Sequence, residues 1–207
     1  MASARRSAST ASRTASAPQQ FTWGVHPAFA VGPGHRIDLP ANGGMAVGVA
    51  SDPVMGSVGQ AYTWPSLPVS APASASSLAE PSRIRDMSAV LGREAGVFGG
   101  HWATDLADGW LGLTDTAARR GVAMVFDRDV FPHAWLWQVY GGWRGHHLLA
   151  MEPWTSRPQD IEGAVAAGRA CVLGPGERLE TWVAFAVHEG LDRVTGVGRG
   201  EDGLVVR

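Results

Sequence analysis

The chain has 207 residues, 45% of them hydrophobic and 17% charged, with a formal net charge of −2. That size suits one domain, or one domain with a tail. No run approaches the roughly 20 apolar residues a membrane helix needs, and the charge gives no electrostatic reason to expect nucleic acid or an anionic membrane. All 17 basic residues are arginines, which excludes Schiff-base lysine chemistry and the Walker P-loop, and the single Cys171 excludes disulfide scaffolds and cysteine-rich zinc sites.

Residues 1–20 are almost all Ala, Ser, Thr and Arg, with no acidic residue. Such a stretch cannot offset its ordering entropy, so it reads as a disordered tail. Arg5-Arg6 is not followed by an apolar segment, so neither a Sec nor a twin-arginine signal is supported. Without the tail's three arginines the remainder, residues 21–207, carries 14 basic and 19 acidic residues. Cytoplasm is then the default compartment. Within this remainder the periodicity is that of strands. Residues 45–50, 122–126, 134–140, 147–151 and 181–187 are short runs rich in Val, Trp, Phe and Leu, separated by Gly, Pro and Asp turns. In Ala134-Trp-Leu-Trp-Gln-Val-Tyr140, strand alternation puts Trp135, Trp137 and Val139 on one face and Leu136, Gln138 and Tyr140 on the other. Residues 66–77, rich in Ser, Ala and Pro, read as an exposed loop. Residues 158–167 read as a helical turn or two, Cys171 as strand packing, and Gly196-Val-Gly-Arg-Gly200 as a turn near a frayed end. The domain is all-β and sandwich-like.

The densest chemistry lies between Trp137 and Pro158. Glu152 ends an apolar run and precedes Pro153, which holds it extended, and Trp154 follows. Burial there would raise the carboxyl toward a general-base value; an ion pair with Arg144 or Arg157 is the alternative. His26, in Trp23-Gly-Val-His-Pro-Ala-Phe29, is a proton donor set among aromatics, or a histidine bonded to backbone. His146 and His147 point to opposite faces of a strand, and His35, His101, His133 and His188 show no metal-binding spacing, so no metal is expected. No GxSxG elbow is present.

Three stretches together resemble the C-terminal two-thirds of the aldose 1-epimerase (galactose mutarotase-like) superfamily. They are Trp23–Phe29 continuing to Ile37-Asp-Leu-Pro40; Asp105-Leu-Ala-Asp-Gly-Trp110 with the strands after it; and Glu152-Pro-Trp-Thr-Ser-Arg-Pro158 leading to Leu173-Gly-Pro-Gly-Glu177 and Glu180-Thr-Trp-Val-Ala-Phe185. The resemblance implies an antiparallel β-supersandwich that lacks part of its N-terminal half, and a reaction that interconverts sugar anomers. It gives Glu152 the role of base at the anomeric hydroxyl and His26 that of acid at the ring oxygen, with no metal or organic cofactor. Trp137 and Trp154 would pack on the sugar, and Gln138 and Asp105 are candidates for its remaining polar contact. The expected partner is a small-molecule sugar, with a homodimer or a segment replacing the N-terminal half as further candidates. Three readings compete with the epimerase: a non-catalytic carbohydrate-binding domain, a remnant of such an enzyme, and a glycosidase pairing Glu152 with Asp105 or Glu94.

Overall fold

The computed structural model describes residues 4–12, 16–47, 53–69, 83–201 and 203–207. In chain order it forms β1 (Ala4–Ser12), β2 (Gln19–Phe21), β3 (Ala28–Ala30), β4 (His35–Asp38), β5 (Ala41–Val47), β6 (Ala61–Thr63), β7 (Ser66–Val69) and β8 (Arg83–Asp86). There follow β9 (Val97–Leu106), β10 (Trp110–Asp115), β11 (Arg120–Phe126), β12 (His133–Tyr140) and β13 (His147–Trp154). The one α-helix among the described residues, α1 (Ile161–Ala166), precedes β14 (Cys171–Leu173), β15 (Arg178–Glu189), β16 (Val197–Gly200) and β17 (Gly203–Val206).

Two antiparallel sheets form the body. One has the order β1-β15-β11-β10-β4, the other β3-β13-β12-β9-β5-β6-β7-β8. Alternation sends one face of each into a shared core: Ile37, Leu111, Met124 and Val183 from the five-stranded sheet meet Leu136, Tyr140, Leu149 and Met151 from the eight-stranded one. The opposite face of the eight-stranded sheet carries Trp102, Trp135, Trp137 and Glu152, since Trp135 pairs with both Trp102 and Glu152. The architecture is thus an all-β antiparallel sandwich, as the sequence predicts.

Buried Asp38 ties an end of this body together. One carboxylate oxygen takes Arg36 Nε at 2.8 Å and the other accepts the Val194 amide at 2.9 Å, anchoring the chain after β15 to β4. Both oxygens of this buried carboxylate are thereby paired.

Several expectations are corrected. Ala4–Ser12 of the expected disordered tail is strand β1, in register with β15 from Ala4↔Ala186 to Ser12↔Arg178, and Gln19–Phe21 pairs with β14. An open sheet edge recruits a strand through main-chain hydrogen bonds, which require no apolar side chain. Residues 1–3 and 13–15 lie outside the described residues. Ser66–Val69 of the expected loop is strand β7, with Leu67 and Val69 buried; residues 70–77 lie outside the description, as do 48–50 of the run ending in β5. The expected C-terminal turn is the hairpin β16–β17. The helical turn is α1, opened by Asp160, whose side chain accepts the Gly163 amide at 2.7 Å. Cys171 sits half-buried in β14. Among the described residues no helix is long and apolar enough to cross a membrane.

Candidate active site

The site begins with how the chain brings two distant segments side by side. Trp23 and Thr155 exchange two hydrogen bonds, Thr155 N to Trp23 O at 2.8 Å and Trp23 N to Thr155 Oγ1 at 2.9 Å. Val25 N donates to Pro153 O, Gly24 bridges Trp154, and Ala28 pairs with Ala150. In that antiparallel register each pair of numbers sums to the same value, so His26 falls opposite Glu152. Pro153 lacks an N–H, yet it sits in the strand because its carbonyl is the group the neighbour needs. Gly24 is required: a Cβ there would land inside the Trp154 indole.

The expected pair therefore meets. His26 Nδ1 lies 2.9 Å from Glu152 Oε2, and Trp154 Nε1 donates to the same oxygen at 3.0 Å. The carboxylate is almost wholly buried, with 3% of its side chain exposed, whereas the His26 side chain is 52% exposed. Oε1 is buried and accepts no hydrogen bond. Burial pushes the Glu152 carboxyl above its ordinary range, and His26 and the Trp154 N–H pull it partly back. The partner of Glu152 is a histidine, in place of the Arg144 or Arg157 the alternative reading offered.

Around the pair is a cleft of about 430 Å³ walled by Trp135, Trp137, Trp143 and Trp154, with Phe98 and Gln159 at its margins. Trp137 meets the His26 ring edge-on at 6.1 Å and lies 5.2 Å from Trp143, whose outer face carries the Arg144 guanidinium at 4.9 Å. Such flat, weakly polar walls suit the C–H faces of a sugar ring. Trp137 and Trp154, both expected at the site, are among these walls. Trp135 and Trp143 were missed, though the alternation that places Trp137 on this face also places Trp135 there.

Gln138 and Asp105 are not brought to the cleft. Gln138 is fully buried on the opposite, core face of β12, its Nε2 donating to Met87 O at 3.1 Å. Asp105 lines a neighbouring cleft with His133 and Arg157. Glu94 lies in a short turn before β9 and is not among the cleft's walls. Glu152 is the one carboxylate lining the cleft among the described residues, so the carboxylate pair of a glycosidase is not assembled. Nor does any group of three His, Cys, Asp or Glu among the described residues stand ready to hold a metal ion.

No protein-family model and no curated protein sequence matches the chain. Solved structures do. A candidate aldose 1-epimerase from Klebsiella pneumoniae superposes with a TM-score of 0.65 at 13% identity, over 90% of this chain and 43% of that one. The Slr1438 protein from Synechocystis sp. PCC 6803 gives 0.60 at 17% identity, over 90% and 51%. A galactose mutarotase related enzyme from Lactobacillus acidophilus gives 0.52 at 12% identity, over 93% and 60%. The chain has the galactose mutarotase-like fold. It spans about half the length of these solved structures. At such identities the likeness concerns architecture, and the chemistry has to be argued from the site.

Proposed function

We propose that the chain interconverts the α and β anomers of a reducing sugar by acid–base ring opening, with Glu152 as base and His26 as acid. The observation that carries this is the Glu152 carboxylate: it lines an aromatic cleft, with one oxygen held by His26 and Trp154 and the other without a hydrogen-bond partner. The carboxylate takes the proton of the anomeric hydroxyl as the bond from C1 to the ring oxygen breaks, and His26 gives its proton to that ring oxygen. The open-chain aldehyde turns about C1–C2. Reclosure on the other face returns one proton to His26 from the attacking hydroxyl, and Glu152 returns the other to the former carbonyl oxygen. Both groups end as they began, so no proton is consumed. The His26–Glu152 hydrogen bond fixes the imidazole's orientation between cycles. The wider identity follows the same site: a small-molecule sugar as ligand, and no cofactor in the cycle.

The test is anomer exchange by NMR saturation transfer over a panel of free aldoses. Glu152→Gln should reduce exchange by at least about 10²-fold, the scale of one general acid–base group, while sugar-induced quenching of tryptophan fluorescence persists. Quenching without exchange in the wild type would overturn catalysis and leave a carbohydrate-binding domain.

A further inference from the structure

A second cleft of about 450 Å³ is lined by residues of β9 and β12, the strands that also contribute Phe98, Trp135 and Trp137 to the first. His133 pairs in register with Trp154, one side-chain step along β12 from Trp135, and Trp102 links them, its ring 6.2 Å from His133 and 4.9 Å from Trp135. One such step is about 7 Å, the scale of one sugar ring. His133, which lines the second cleft, and Trp135, which lines the first, are thus one side-chain step apart on the same face of β12.

The lining of the second cleft differs in kind. It holds Asp105 and Asp129 with Arg128 and Arg157 around His133. Asp105 has a φ of 58°, a left-handed conformation uncommon for a residue with a side chain. Within β9, strict alternation would send it to the core face beside Ala103; instead it is exposed and lies within electrostatic reach of Arg157. Arg157 Nε is buried and donates to nothing, and Arg169 stands behind it, bonded to the Arg157 carbonyl at 3.2 Å. Burial and the two guanidinium groups push His133 down to about 4, so near neutral pH it is an uncharged donor and acceptor. Two carboxylates, two guanidinium groups and a neutral imidazole offer donors and acceptors with little net charge. That set suits vicinal hydroxyl groups better than a phosphate dianion, which the two carboxylates would repel.

We propose that the cleft formed by Asp105, His133 and Arg157 is a subsite for a second, uncharged sugar ring, so that the preferred substrate is a reducing disaccharide rather than a free monosaccharide. This rests on the proposed anomer exchange for its catalytic meaning, but binding tests it separately. Glucose, maltose, cellobiose and glucose 6-phosphate are titrated into the full chain and followed by tryptophan fluorescence, with exchange of the same sugars measured by NMR. At least one disaccharide should bind about tenfold more tightly than glucose, and Arg157→Gln and Asp105→Asn should each erase most of that preference, the scale expected for hydrogen bonds to charged groups. Equal binding of glucose and both disaccharides, or no binding of any, overturns the subsite. A larger gain for glucose 6-phosphate than for either disaccharide overturns it in favour of an anion site. A disaccharide preference lost in Arg157→Gln, without exchange of any sugar, upholds the subsite and overturns the catalytic reading. The wild-type comparison stands without variants, should either fail to fold.

Discussion

Trp154 acts on Glu152 through one hydrogen bond, and that bond makes the proton affinity of the proposed base adjustable. Its indole N–H stabilises the ionised carboxylate, opposing the burial that favours the protonated form. Trp154→Phe keeps the aromatic wall and removes the donor, so the carboxyl should rise further. A base must be ionised to work, so the acid limb of kcat/KM for anomer exchange should move to higher pH in this variant, with most of the rate recovered on the alkaline side. An acid limb left in place would show that the indole N–H does not tune the base. At this scale the sequence was partly legible. Glu152 and His26 stood out because each is a titratable group enclosed by aromatics. Gln138 could have been excluded from the cleft by the alternation that puts it opposite Trp137. Asp105 could not be placed, because its positive φ breaks the alternation on which such a reading depends.

The element that matters most is the pairing of residues 23–30 with β13, since it sets His26 opposite Glu152. Gly24 lies at its tightest point, under the Trp154 ring. Gly24→Ala should displace the indole, lengthen its bond to Glu152 and loosen the His26 register, although residue 24 touches neither reacting group. We expect kcat for exchange to fall at least about tenfold, with the unfolding midpoint lowered by an overpacking cost of about 1–3 kcal/mol; unchanged kcat would dissociate the zipper from the chemistry. The buried strands β11, β12, β13 and β15 were legible because their apolar runs are long and bounded by turn residues. β1 and the β16–β17 hairpin were not. β1 is made by main-chain pairing of a segment rich in Ser, Ala and Arg, where composition carries no hydrophobic signal, and β16 and β17 are four residues each, too short to show a period.

For the molecule as a whole, the two sheets bury their core between them and leave the proposed site on the outer face of the larger one. The buried histidines are where stability meets pH. His101 is fully buried, 3.2 Å from the Tyr62 hydroxyl, and burial, then the Arg85 charge, push it from 6.5 down to about 4. His133 is held down to about 4 in the same direction by burial and by Arg157 and Arg169. A depressed histidine means that the unfolded chain binds the proton first. Its contribution is full above about pH 6.5, falls as the pH drops from there toward 4, and levels off below; for His101 alone the span is about 3 kcal/mol. Glu152 has the opposite sign, because its raised carboxyl is protonated more readily in the folded chain, and this offsets part of the loss. The melting temperature should therefore fall between about pH 6.5 and pH 4, before ordinary carboxylates titrate, and His101→Gln should flatten that slope. A melting temperature constant across that window would mean that His101 takes up a proton in the folded core as readily as in the open chain, and that the interior beneath the aromatic sheet is far more polar than its packing implies.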